Sequence, residues 1–198
     1  MNTDTQSPTR WCENVIIADG DTLDRIAFDL TVNFERMLGR RVEKADLAQW
    51  IDCVALDGGL RPGEHETQVV LTHSPSHDAL ENFQPGRYAD IDGTAFRDNL
   101  GEFRLNAYQV EPMVTADSFL ADIVANACAR EEVKRIVIIP EETHEELLDE
   151  LRNILRRTDP DRHVTLLTMQ PLRGGNFRQE LLGYSLMQAL GIRGDELK

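Results

Sequence analysis

The sequence predicts an α/β fold, a three-layer sandwich with a mostly parallel central sheet and helices on both faces. Three observations carry this expectation. Short apolar runs alternate with segments of helical period along most of the 198 residues. One run, Ile136-Val137-Ile138-Ile139, is uninterrupted, as in a strand buried on both faces. The apolar runs at 133–139 and 164–169 flank a helical stretch, which is a βαβ unit and should cross over right-handed.

Residues 1–10 are polar and fit a mobile tail. Val15 to Ala18 forms the first short strand, bounded by turn residues. Asp21 or Thr22 can cap a helix to about Leu38, where Ile26, Leu30, Phe34 and Leu38 recur every fourth residue and Gly39 supplies a stop. A second helix is expected from Lys44 to Leu56, with Leu47, Ile51 and Val54 on one face and Gly58-Gly59 closing it. Val69 to Leu71 is the next strand, ending at Thr72-His73-Ser74-Pro75.

Residues 75–101 break the rhythm. Pro75, Pro85, Gly86, Gly93 and Gly101 lie among charges there, the composition of a long surface insertion. Phe103 to Val110 alternates and fits a strand at a sheet edge. Thr115 or Asp117 then caps a helix through Arg130 that turns Leu120, Ile123, Val124, Ala127 and Cys128 inward. Pro140 ends the central strand, Thr143 caps a helix from about His144 to Arg157, and Val164 to Met169 returns as a strand. After Gly174-Gly175, Phe177 to Leu190 has a broad apolar helical face. The expected organisation is one domain over 11–172, with the helix of segment 173–198 docking on the core or on a partner. Homodimerisation through that helix is the default expectation.

The formal charge of −14 argues against broad, non-specific attachment to nucleic acid or anionic membrane. No apolar run approaches the roughly 20 residues of a membrane helix. The polar N-terminus has no hydrophobic signal core, so a cytoplasmic setting is expected. Cys12, Cys53 and Cys128 are isolated, with no CxxC pair, so neither a zinc site nor a disulfide framework is expected.

Ligands of open α/β sheets sit outside the carboxyl ends of the strands. That rule selects Asp19 and Asp21 after the first strand, Thr72, His73 and Ser74 after the second, and Glu141 and Glu142 after the central one. Asp117 and Asp122, on the intervening helix, can reach the same edge. Clustered carboxylates repel one another unless a cation compensates, and Mg²⁺ or Mn²⁺ held by one or two of them plus waters is the usual solution.

Ala18-Asp19-Gly20-Asp21 resembles the motif Asp-Gly-x-Asn that ends the first strand in the PIN-like and NYN superfamily of metal-dependent ribonucleases. Ala116-Asp117 to Ala121-Asp122 resembles that family's helical acid motif, one residue short in spacing. Ile138-Ile139-Pro140-Glu141-Glu142-Thr143 stands where the family ends a strand with Ser-Gly-Asp-x-Asp. The resemblance spans about 14–170 and implies a PIN-like, Rossmannoid fold. It implies Asp19, Asp117 and Glu142 as ligands of Mg²⁺ or Mn²⁺, Asp19, Asp21 and Asp122 as catalytic groups, and single-stranded RNA as substrate. Asp21 and Thr22 replace the family's asparagine, and glutamates replace the final aspartates, so a relative with the fold and without the activity is equally in view.

Two further readings stay open. Asp19-Gly20-Asp21-Thr22 is similar to the Asp-x-Asp-Gly-Thr of haloacid-dehalogenase-like phosphohydrolases, which implies Asp19 as nucleophile toward a phosphorylated small molecule. Thr72 or Ser74, Lys134, and Glu141 or Glu142 would complete that set. The literal match, Asp90-Ile91-Asp92-Gly93-Thr94, follows no strand and is expected to be a turn. The third reading is a non-catalytic, acidic interaction or scaffold domain. In it, Asp21, Thr115, Asp117, Glu141 and Glu142 serve as helix caps and first-turn acids.

Overall fold

The computed structural model describes residues 10–198, so nearly all of the expected N-terminal tail lies outside the described residues. The first half of the chain forms β1 (Asn14–Asp19), α1 (Gly20–Leu38), β2 (Ala45–Asp46), α2 (Leu47–Asp57), β3 (His65–His73), β4 (Phe83–Gln84), α3 (Tyr88–Ile91) and β5 (Ala95–Asp98). The second half adds β6 (Gly101–Gln109), α4 (Ala116–Cys128), β7 (Arg135–Ile139), α5 (Glu145–Arg156), β8 (His163–Thr168), β9 (Arg178–Leu181) and α6 (Leu182–Ala189).

Seven strands make the main sheet in the order β5-β6-β3-β1-β7-β8-β9, parallel except for β5, which runs antiparallel to β6. Counted in chain order, the six parallel strands lie 3-2-1-4-5-6, the arrangement of doubly wound Rossmann sheets. Ile16 sits between Val69 and Val137, and Ile17 between Val70 and Ile138, so successive residues of β1 feed opposite faces. Ile16, Ala18, Val69, Leu71 and Val137 pack under α1, α2 and α6. Val15, Ile17, Val70, Ile136 and Ile138 pack under α4 and α5. Direction of travel and face reverse together, as a single hand of crossover demands. Trp11 closes one end of the second core, its indole N–H donating to Asn126 Oδ1 at 3.1 Å.

The helix ends follow local chemistry. Asp19, the last residue of β1, caps α1 by accepting the Thr22 N–H, so the cap falls two residues before the expected Asp21. Gly39, left-handed at φ 64°, ends the helix and donates its N–H to Glu35 O. Asp46 caps α2, which therefore starts later than expected because Ala45–Asp46 is drawn into pairing with β4. Thr115 caps α4 as expected. His144, not Thr143, occupies the cap position of α5.

Three expectations change. The segment 75–101 is not merely a surface insertion, because it buries Leu80, Phe83, Ile91 and Leu100 and carries β4, α3 and β5. Phe83 meets Trp50 edge to face at 6.0 Å, and Phe96 of β5 stacks on Phe103 at 4.8 Å. β6 is accordingly one strand in from the edge, which β5 forms. The start of the expected C-terminal helix is a strand instead, with Arg178–Leu181 pairing parallel to β8 before α6 begins. Leu182, Leu186 and Ala189 of α6 are buried in the chain's own core.

Candidate functional site

The chain winds from β1 outward through β3 and β6, then returns to β7 on the other side of β1. The gap outside the carboxyl ends of β1 and β7 is thus the topological switch point, where such folds bind ligands. Asp19 ends β1 there, and Pro140-Glu141-Glu142 follows β7.

Asp19 is 7% exposed, and its Oδ1 accepts the Thr22 N–H at 3.0 Å. Burial pushes its carboxyl up, and the charges of Asp21 and Glu141 add to this. The opposing bond from Thr22 lowers it by less, so desolvation wins at this cap. Glu141 behaves oppositely. Burial alone would raise it, but donors surround it and hold its carboxyl at about 2. Its Oε1 accepts the Thr143 N–H at 3.1 Å and the Thr143 hydroxyl at 2.7 Å. Its Oε2 accepts the Thr22 hydroxyl at 3.0 Å and the Arg25 guanidinium at 2.6 Å. Thr22 therefore bridges the two sides of the switch point, donating its amide to Asp19 and its hydroxyl to Glu141.

The other acids are engaged one by one. Asp21 Oδ2 accepts the Ser74 N–H at 2.9 Å, and its Oδ1 lies 3.1 Å from His77 Nδ1. Asp24 accepts the Asn82 N–H at 2.8 Å, fastening the 75–101 segment to α1. Asp117 pairs with His144 Nδ1 at 2.9 Å, which raises the histidine's pKa through that hydrogen bond. The same pairing leaves the α5 cap without a side-chain bond. Glu142 turns away toward β8 and accepts the Met169 N–H. Asp122 is exposed on α4, five residues past Asp117 and about 140° around the helix from it. The structure thus gathers Asp19, Asp21 and Glu141, and sets Asp122 and Glu142 apart. Among the described residues no group of three or more His, Cys, Asp or Glu side chains is arranged to hold a metal ion.

Ser74, His77 and Asp21 converge in the manner of a nucleophile triad, but both partners approach the same ring nitrogen. Ser74 Oγ is 3.1 Å from His77 Nδ1, the atom that also faces Asp21. A relay needs the serine and the carboxylate on opposite nitrogens, so this trio is a loop clasp. His73 is buried, faces the carbonyls Ser74 O at 3.0 Å and His77 O at 2.9 Å with Nδ1, which must therefore carry the proton and donate, and stacks on Tyr88 at 3.9 Å with an 8° interplanar angle.

Tyr88 delivers a buried hydroxyl that has no hydrogen-bond partner among the described residues and lies against Gly20. Burial pushes this phenol up, with Asp21, Asp24 and Asp19 adding their charges. A Cβ on Gly20 would collide with Tyr88 Oη and lie 2.8 Å from Thr72 O, so glycine is required by close approach. Beside these residues an open groove of about 390 Å³ is lined by Asp21, Asp24, Arg25, Phe28, His77 and Asn82. Asp90 and Ile91 end α3, Asp92-Gly93 turns out of it, and Asp92 Oδ1 accepts the Ala107 N–H, so the literal Asp-Ile-Asp-Gly-Thr match is a helix end and turn that follows no buried strand.

Arg25, His77, Tyr88 and His144 belong to this constellation although the sequence reading gave them no role in it. Arg25 shared the helix of Asp21, four residues on, and was legible as a side chain able to reach the same edge. Tyr88 lay inside the apparent insertion and gave no signal.

An open, doubly wound sheet with carboxylates gathered over its switch point defines a Rossmannoid α/β domain with an acid-rich crevice. The chain belongs to DUF6621, a family of unknown function, whose model matches residues 8–197. No curated protein and no solved structure matches the chain.

Proposed function

We propose that this domain is a catalytically degenerate relative of the PIN-like and NYN nucleases, a platform that binds a ligand at the switch point without hydrolysing it. The observation that carries this reading is the saturation of Glu141 by four donors: two from Thr143, one from Thr22 and one from Arg25. A metal-dependent nuclease keeps carboxylate lone pairs facing a shared cation. Here the Arg25 guanidinium already balances Glu141, while Asp21 and Asp117 are bound to His77 and His144. Asp19 itself caps α1. The donor set therefore fits Mg²⁺ or Mn²⁺ poorly.

The same charges weigh against a bare phosphate chain, because Asp21, Asp24, Asp78 and Glu81 line the adjoining groove and, among the described residues, Arg25 is its one guanidinium. A neutral or cationic ligand suits it better. Asp19 Oδ1 is already engaged by the Thr22 N–H as the cap of α1, which weighs against the phosphohydrolase alternative. The test is incubation of the purified protein with labelled single-stranded RNA in Mn²⁺ or Mg²⁺, beside Asp19→Asn. Both proteins should leave the RNA intact, and calorimetric titration with Mn²⁺ should give the same trace for each. Metal-dependent cleavage by the wild type that Asp19→Asn abolishes would overturn the proposal.

A further inference from the structure

The two edges of the main sheet are finished differently. On β5, Arg97 is held within its own chain, 2.7 Å from Glu64 and 3.2 Å from Glu102. On β9, the opposite edge, Arg178 and Glu180 are exposed, and neither joins a salt bridge among the described residues. Their side chains share one face of the sheet, being two residues apart on a strand. Glu180 lies close enough to Asp57 of α2 to help burial push that carboxyl up to about 6. This edge thus sets Glu180 near another carboxyl, Asp57, and Arg178 near another cation, Arg135.

We infer that β9 is a docking edge for a second copy of this chain, joined by antiparallel β9–β9 pairing about a two-fold axis through Gln179. The run Phe177-Arg178-Gln179-Glu180-Leu181 is complementary to its own reverse. In that register each Arg178 stands opposite Glu180 of the other copy, Gln179 meets Gln179, and Leu181 meets Phe177. Residues directly opposite in an antiparallel pair share a face, so both ion pairs form on the side that carries α2. Leu181, 37% exposed, gains the half-buried Phe177 as an apolar neighbour on the other side. Edge strands that resist self-association carry like charges, which repel a second copy. A cation and an anion spaced symmetrically about the centre attract one. The arrangement is independent of the switch-point reading, since β9 lies three strands from β1.

Sedimentation velocity of the full chain tests the register. The wild type should sediment as a dimer of the 22.4 kDa chain, weakened by salt because the pairs are exposed. Arg178→Glu sets glutamate against Glu180 at both symmetry-related positions and should raise the dimer Kd by about tenfold or more. Glu180→Arg should do the same. The double variant R178E/E180R restores both pairs with signs exchanged and should return Kd to near the wild-type value. Far-UV circular dichroism should be unchanged throughout, as both side chains are exposed, whereas Tm should fall in the single variants and return in the double variant as the dimer does. A monomeric wild type at every concentration, a dimer indifferent to Arg178→Glu, or a double variant no better than the singles would each overturn the inference.

Discussion

Asp52 and Asp98 face one another between α2 and the end of β5, and Asp52→Asn should stabilise the protein in a pH-dependent way. Burial first, then the hydrogen bond and charge of Asp98, push the Asp52 carboxyl up to about 7 from an ordinary 3.8. Asp98 meanwhile accepts the Leu100 N–H at 2.7 Å, which keeps it in place. The folded state therefore binds a proton at Asp52 more tightly than the unfolded chain does. The stabilising contribution is present at pH 4 and is lost as pH rises toward 7 and above. A rise from 3.8 to about 7 corresponds to at most about 4 kcal/mol at 1.36 kcal/mol per pH unit. Asp52 is only half-buried, so solvent screening cuts this to about 1–2 kcal/mol. Asparagine keeps the shape, donates to Asp98 and does not titrate. Urea unfolding should find Asp52→Asn about 1–2 kcal/mol more stable than wild type at pH 8 and equal to it near pH 4, with unchanged m-values. The carboxyl of Asp57 titrates in both proteins and cancels in the comparison. An offset that is the same at the two pH values would refute the shared-proton reasoning.

Two other substitutions probe the switch point. Gly20→Ala forces a methyl against the Tyr88 hydroxyl and Thr72 O, and should destabilise the fold by about 1–3 kcal/mol in chemical unfolding. Glu141→Gln removes the charge that four donors surround and should cost about 1–3 kcal/mol at pH 7. Because Glu141 is held at about 2, its contribution is present above its unfolded value of 4.5 and lost as pH falls toward 2. Acid unfolding followed by circular dichroism should therefore be shallower in the variant over that window.

The regular part of the fold was legible because its signals are local and periodic. Ile136–Ile139 is buried from end to end, and the βαβ unit through α5 lies where its spacing put it. The missing parts are those where pairing overrides period. Arg178–Leu181 is a strand because β8 offers an edge, while Leu181 and Leu182 suit a helical pattern as well. Two residues, Phe83 and Gln84, cannot display alternation, and the prolines and glycines around them have the composition of a loop. At the site, the rule of carboxyl ends selected Asp19, Asp21, Glu141 and Glu142 alike; the first three stand together, while Glu142 turns to the Met169 N–H. It could not assign their partners. Whether Asp117 faces a cation or His144 depends on how α4 and α5 start side by side, which no spacing along the chain encodes.

β1 is the first strand among the described residues and the central one of the finished sheet, and its two neighbours arrive at very different times. β3 follows after a helix pair, whereas β7 begins only at Arg135, more than a hundred residues after β1 ends. During synthesis, then, one side of β1 must wait unpaired while α1, α2, β3 and β6 assemble beside it, an apolar strand edge open to misassociation. The Thr22–Glu141 bond spans 119 positions, so it forms only when that wait is over. The crevice is in this sense a late product of the chain: no N-terminal fragment ending before Arg135 contains it.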